Sequence, residues 1–530
     1  MTVNQQNCLL ENVFILLFRR DLHQFTLQLP SNITNLNEFV CGPFGREGRL
    51  CGQCKPGFGT SLYEKDLRCV NCTDTPLPGG VIYVLAEIVP STLFFTVFLV
   101  LGISATSAPF NTFIFFSQMY SLRVSFRLVL KIATSSEDFD SASLSDVTPR
   151  YARALDTLYG VWNLQFFRPF LPLFCIKEGL NALEALAMEY VSAFYPLLLT
   201  AVAYITIELH ACGFRPIMWC WKPFHKCYVK FRKIVDPRGS VINAFATFFL
   251  LSYTKLIFTS INMLAYTVIH NSDSTSWFGI EVVSFFNPTI PYAHGEHTWL
   301  FLLSIIVMIF AAIPTKLLFV YPCKCFQKRI WIWRHRWLPL HTFMDIFQGC
   351  YKNGTNGTRD LRYFSGLYLI CRLPIIVSAL VGVAPAAIIS IAVYTILAIL
   401  VAYLRPYRKN RYNILDAVMF LLLIIIHVTV LGGGVDHLLE PRSEVIFKLF
   451  FNVVNILYII PLLYATVMFI YILLPTKVKK ELDKITENIK VDQCCNRDVT
   501  VEAEGNAAGN RQEEEELPEL EIEGRHDSPF

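Results

Sequence analysis

The chain is 530 residues long, with 54% hydrophobic, 14% aromatic and 17% charged residues and a positive mean hydropathy. A soluble domain carries about a quarter charged residues, so this chain has too little polar surface to stay in solution. Its formal charge of +4 is too small to imply a nucleic-acid partner, and the placement of the positive charges matters more than their sum.

Residues 1–80 hold Cys41, Cys51, Cys54, Cys69 and Cys72, ahead of any apolar stretch of membrane length. Cys51-Gly-Gln-Cys54 and Cys69-Val-Asn-Cys72 are two CxxC pairs 14 residues apart, a spacing that can hold zinc tetrahedrally. The charge pattern of the later loops places this segment outside, where disulfides form and persist. Its Gly- and Pro-rich stretch suits a small loop scaffold with little core. Disulfides are therefore expected, with no metal and no other cofactor. Connectivity stays open, and five cysteines leave one over that Cys8 or Cys175 can complete. Asn32-Ile-Thr is the glycosylation candidate, because Asn71-Cys-Thr adjoins a bonded cysteine. Val13–Phe18 is a short apolar run followed by Arg19 and Arg20, the reverse of a signal peptide's order. Either the N-terminus is incomplete or the first span acts as its own insertion signal.

Residues 81–474 form the transmembrane domain. The apolar stretches long enough to cross the hydrocarbon core are Val81–Ile103, Ala187–Leu209, Val241–Thr267, Thr298–Tyr321, Tyr363–Leu404, Ile414–Leu431 and Ile446–Leu474. Tyr363–Leu404 is too long for one span. Pro385 and a turn from Gly382 to Ala386 divide it, which gives eight.

The links between spans alternate in charge, and the positive-inside rule orients them. Gly213 to Ser240 holds Arg215, Lys222, Lys226, Lys230, Arg232, Lys233 and Arg238 against the single acid Asp236. Pro322 to Arg362 carries eight Lys or Arg residues, and Arg405–Asn413 adds Arg405, Arg408, Lys409 and Arg411. His270–His297 has none, and Gly432–Glu444 has only Arg442. The basic links face the cytoplasm. For Val81–Ile103 and Ala187–Leu209 both to enter from outside, one more crossing must lie between them. Pro109–Leu130 is rich in Phe but includes Arg123 and Arg127, and Leu155–Ile176 includes Arg168, Pro169 and Pro172. Charge bias favours the second, apolar continuity the first. The fold class is an all-α polytopic bundle of about nine spans, N outside and C inside, beneath a small disulfide-rich module. The tail, 475–530, is cytoplasmic; past residue 498 it is acidic, poor in aromatics and expected to be disordered.

Several stretches resemble a group of multi-pass membrane proteins from marine invertebrates. These place an EGF-like or laminin-like cysteine segment directly before the first span. The resemblance is carried by Gly48 to Gly59, Val161-Trp-Asn-Leu164 with Cys175, Tyr195-Pro-Leu-Leu198, Phe347 to Tyr363, and Leu404-Arg-Pro-Tyr407 with Asn413-Ile-Leu-Asp416. It implies that Pro109–Leu130 is the second span, that Trp162 to Cys175 lies outside, and that this chain is the membrane-proximal part of a longer architecture. It implies no activity.

Ionisable side chains at membrane depth are costly and mark candidate sites. Glu87 lies a turn or two from the outer surface and is expected to reach water. Lys255 lies midway along its helix, where the alternatives are a carboxylate or carbonyl partner and a difficult reach to the interface. Arg372, beside Pro374, poses the same choice. Lys316, Asp416 and Lys448 lie near span ends and read as interfacial anchors. Arg123, Arg127 and Lys131 recur every fourth residue, as on an interfacial amphipathic helix. No nucleophile–base–acid set is visible, so an enzyme is not expected. A cell-surface receptor or adhesion protein of the plasma membrane is the leading expectation, with an extracellular ligand and cytoplasmic partners; an ion channel or transporter is the alternative.

Overall fold

A computed structural model describes residues 46–47, 53–60, 69–73, 79–101, 108–121, 158–166, 175–211, 237–270, 280–322, 338–354, 359–381, 383–439 and 444–473. Cys41, Cys51, Asn32, the Arg123–Lys131 run and the tail from residue 475 lie outside the described residues. The chain divides into two compact units, Met1–Val467 and Met468–Phe530. Every element named here belongs to the first, save residues 468–473.

Helix α1 runs through Gly79–Tyr83, a π-helical turn Val84–Ile88, and Val89–Leu101. Then come α2 (Ala108–Ser121), α3 (Ala182–Ala211), α4 (Pro237–Leu264), α5 (Glu296–Val320) and α6 (Leu338–Gln348). Helices α7 (Phe364–Ile370), α8 (Arg372–Val381), α9 (Val383–Leu404), α10 (Asn410–Leu439) and α11 (Glu444–Leu473) follow. Among the described residues six helices are long and apolar enough to cross a membrane: Gly79–Leu99, Ala182–Leu209, Gly239–Leu264, His297–Val320, Pro385–Leu404 and Asn410–Thr429. Phe364–Ala379 and Ile456–Met468 are shorter apolar helices.

The core is mainly apolar, and so is much of the outer surface of the helices. Ile306, Ile309 and Ile313 of α5 are exposed, as are Ile414, Val418, Leu421 and Ile425 of α10 and Ile456, Ile460, Leu463 and Val467 of α11. These spacings of three and four residues form continuous apolar stripes on the outer surface. In water such stripes would drive aggregation; against acyl chains they cost nothing. Several of the polar side chains that lie inside are hydrogen-bonded between helices. Ser252 of α4 donates to the Ala193 carbonyl of α3, and Tyr190 of α3 donates to Ser304 of α5.

Within the double-length run α8 ends at Val381 and α9 begins at Val383, with residue 382 outside the described residues; Pro385 falls in the first turn of α9, where its missing N–H is harmless. Helices α7 and α8 run on through Cys371, which keeps helical dihedrals and donates to the Leu367 carbonyl, so Phe364–Ala379 is one helix. Pro374 perturbs it locally, since it cannot donate to the Ile370 carbonyl and its ring crowds that turn.

Two expectations need correcting. The fold is not purely helical, because α4 ends at Leu264 rather than continuing to Thr267. Tyr266–His270 (β5) instead pairs antiparallel with Ile280–Ser284 (β6), as the β-branched Thr267, Val268 and Ile269 favour. Short strands also pair in the N-terminal module: β1 (Arg46–Glu47) with β2 (Gln53–Cys54), and β3 (Phe58–Thr60) with β4 (Cys69–Asn71). Second, Leu155–Ile176 is no continuous helix. A helical turn at 158–161 gives way to a tight turn in which Leu164 has φ +56°. Pro109–Leu130, the stretch the resemblance favoured, begins as α2.

Candidate functional site

Helix α2 is the centre of the first unit. All of its side chains described from Ala108 to Met119 are buried apart from Asn111, which is half-buried. A helix apolar on every face packs on every face, and the Phe residues of α2 do so. Phe113 meets Trp162, Phe116 meets Tyr458, and Phe115 meets Tyr368, Tyr394 and Phe420.

Three polar residues of α2, Thr112, Ser117 and Gln118, are buried and Asn111 is half-buried; all four are bonded to other elements, as buried polar groups must be. Asn111 donates to the Tyr351 hydroxyl at 3.2 Å, and Thr112 donates to Asp416 Oδ1 of α10 at 2.8 Å. Asp416 also accepts from the Tyr368 hydroxyl of α7. Ser117 donates to the Tyr159 carbonyl, and Asn163 donates back to the Ser117 carbonyl. Gln118 donates to the Leu250 and Leu251 carbonyls of α4 and accepts from Thr254. Arg372 Nη1 donates in turn to Thr254 at 3.3 Å. The result is a polar spine through the bundle.

Each of the three intramembrane charges finds a different setting. Lys255 Nζ lies 3.0 Å from Glu189 Oε2 and 3.3 Å from the Leu164 carbonyl, so both kinds of partner weighed for it are present. The left-handed backbone at Leu164 aims that carbonyl inward. Arg372 is fully buried, 5.3 Å from the Phe115 ring and 5.9 Å from Tyr253, and makes no ion pair among the described residues. Glu87 is 2% exposed within the π-turn, so the expectation that it reaches water is corrected. Asp416 is likewise 1% exposed and no interfacial anchor, because α2 packs over it with Thr112. Lys316 is exposed.

On one face the cysteine module is seated on the helix ends. Cys54 bonds Cys69, and Cys72 bonds Cys175, which lies just before α3. The second CxxC pair is thus split between two disulfides. Thr60 N donates to the Leu180 carbonyl, Gly179 N to the Phe58 carbonyl, and Gln53 Nε2 to Thr289 beyond β6. A Cβ on Gly59 would lie 2.3 Å from the Lys177 oxygen, and one on Gly79 would lie 2.2 Å from the Cys175 oxygen, so only glycine permits this approach.

On the opposite face the two basic links clasp each other. Tyr351 stacks on Tyr407 at 4.9 Å, Arg408 donates to the Tyr351 carbonyl, and Lys352 N donates to the Pro406 carbonyl. Burial pushes the Tyr351 and Tyr407 phenols well above their usual range and the Cys350 thiol up to about 12. Burial alone would raise Asp360, but the Arg362 guanidinium, donating to both its oxygens, holds it below the ordinary carboxylate range.

Among the described residues no group of three or more His, Cys, Asp or Glu side chains is placed to hold a metal ion. No family model, curated protein or solved structure matches the chain. Sequence reasoning missed Glu189, Gln118, Thr254 and Tyr368. The available signal was the polarity of α2, whose Asn, Thr, Ser and Gln interrupt an otherwise apolar helix.

Proposed function

We propose that this integral membrane protein is a receptor or adhesion protein of the cell surface, in which the outer module passes contact with a ligand or a neighbouring cell to the bundle. The observation that carries this reading is the module's seat. A flexibly tethered module would move without the bundle. This one is stapled by Cys72–Cys175 and hydrogen-bonded through Phe58 and Thr60, so force on it reaches the starts of α1 and α3.

In this reading the chain crosses nine times, N outside and C inside: the six long helices, α7–α8, α11 and α2. The clustering of the module with the α4–α5 link on one face, and of the two basic links on the other, supports that orientation. Glycosylation at Asn32, an EGF-like character for the module and a plasma-membrane location belong to the same proposal.

The test is adhesion. Cells expressing the full chain are compared with Cys175→Ser at equal surface density, on matrix-coated surfaces and in mixed-cell aggregation. The wild type should raise attachment or aggregation several-fold and the variant should not. Unchanged adhesion in the wild type contradicts the reading.

A channel or transporter is the second reading, favoured by the buried charge of Arg372 two residues before Pro374. Buried charges inside membrane helices commonly mark substrate and ion paths. Flux into proteoliposomes that disappears in Arg372→Met would support it.

A further inference from the structure

The two buried cations at the core are treated differently. Lys255 has a carboxylate at 3.0 Å. Arg372 is 0% exposed, and its one hydrogen bond goes to a neutral hydroxyl, Thr254 Oγ1. Its Nε and Nη2 are buried and have no hydrogen-bond partner among the described residues. A buried charge without a counter-charge is among the most destabilising features a fold can carry, and in a membrane interior water does not relieve it.

The geometry of the free donors is specific. Nε and Nη2 lie on the same edge of the planar guanidinium and form the side-on fork that matches two coplanar oxygens. That edge is held in place by a relay. Gln118 is fixed by two α4 carbonyls and accepts the Thr254 proton. Thr254 therefore meets Arg372 with an oxygen lone pair. Phe115 and Tyr253 flank the guanidinium. The side chain is preorganised, and its fork is left open.

We propose that the Nε–Nη2 edge of Arg372 binds an oxyanion, a carboxylate or a phosphoryl group, inside the bundle. The site is closed in this conformation, and bending of the helix at Pro374, which leaves the Ile370 carbonyl without its helical N–H, is the motion that admits an anion. The inference stands whether or not the outer module binds a ligand.

The test is thermal unfolding of the purified full chain in detergent, titrated with sodium acetate, sodium phosphate or sodium chloride at equal ionic strength. Phosphatidylglycerol is added in a fourth arm. The wild-type midpoint should rise saturably, by about 4 °C, with the anion that fits, because a ligand binding only the folded state stabilises it. Acetate would identify a carboxylate site, phosphate a free phosphoryl site, and phosphatidylglycerol alone a lipid headgroup. Arg372→Lys keeps the charge but loses the fork and should lose most of the shift. Arg372→Met should lose all of it while unfolding at a higher temperature than the anion-free wild type. An equal shift with chloride, an equal response in Arg372→Met, or no shift in any arm would overturn the proposal.

Discussion

Lys255 Nζ lies 3.0 Å from Glu189 Oε2, joining α4 to α3 in the interior of two candidate spans. Both side chains are shielded, and the Leu164 carbonyl completes the ammonium's contacts at 3.3 Å. Removing one partner strands the other charge, which typically costs about 3–5 kcal/mol, whereas replacing both with apolar groups can be neutral. Lys255→Met and Glu189→Leu should each lower the thermal midpoint of the purified protein, and the double variant should recover most of the loss. A double variant worse than either single would contradict the pairing.

The module's seat makes a second prediction. The Cys72–Cys175 disulfide closes a loop of 103 residues. Loop-closure entropy sets an upper bound near about 5 kcal/mol for its stabilisation, lowered because part of that loop is helical. Cys175→Ser should loosen the module, and Gly59→Val should do the same with the disulfide intact, because no Cβ fits there. Limited proteolysis after Lys55 should accelerate in both variants. Equal cleavage rates in all three proteins would mean that the seat is not rigid.

Asp416 depends on two hydroxyl donors, Thr112 and Tyr368. Tyr368→Phe leaves a buried carboxylate one donor short, a loss of about 1–3 kcal/mol. The same substitution should cost nothing further once Asp416 is Leu. Thermal unfolding of the four proteins of that cycle measures the coupling; additive losses would show that the bond carries no energy.

The basic links can be probed by pH and by thiol chemistry. Burial raises the thiol of half-buried Cys350 to about 12, so little thiolate is present at pH 8 and maleimide should label the native protein more slowly than the unfolded one. Equal labelling rates before and after unfolding would contradict that protection.

Asp360 has a lowered folded value, so its pairing with Arg362 contributes above the unfolded carboxylate pKa near about 4 and is lost as pH falls through the lower folded value. The Arg362→Gln variant should therefore differ most from wild type at pH 6, and the difference should shrink as pH falls below the unfolded carboxylate range. A difference that does not shrink on acidification would rule out the ionised pair.

Much of this was legible because span length and apolar content are properties of contiguous sequence. Gly79–Leu99 and the five other long helices follow from them directly. What pairs across the bundle is not contiguous. Asp416, near a span end, reads as an anchor until α2 brings Thr112 onto it. Glu87, near the outer surface by count, is enclosed in the fold. The stretches that carried the resemblance hold several polar nodes: Leu164 faces Lys255, Tyr351 stacks on Tyr407, and Asn413 accepts from Tyr407 N. The β5–β6 hairpin was missed because the apolar run continued past the helix end without a break in hydropathy.

The account rests on one orientation, with the cysteine module outside and the clasped basic links inside. Glycan mapping tests it most directly: the full chain expressed in mammalian cells, compared with Asn32→Gln and with Asn353→Gln/Asn356→Gln, before and after endoglycosidase. The account predicts a mobility shift that disappears only with Asn32→Gln. A glycan on Asn353 or Asn356 would place the Tyr351–Tyr407 clasp outside and reverse the orientation.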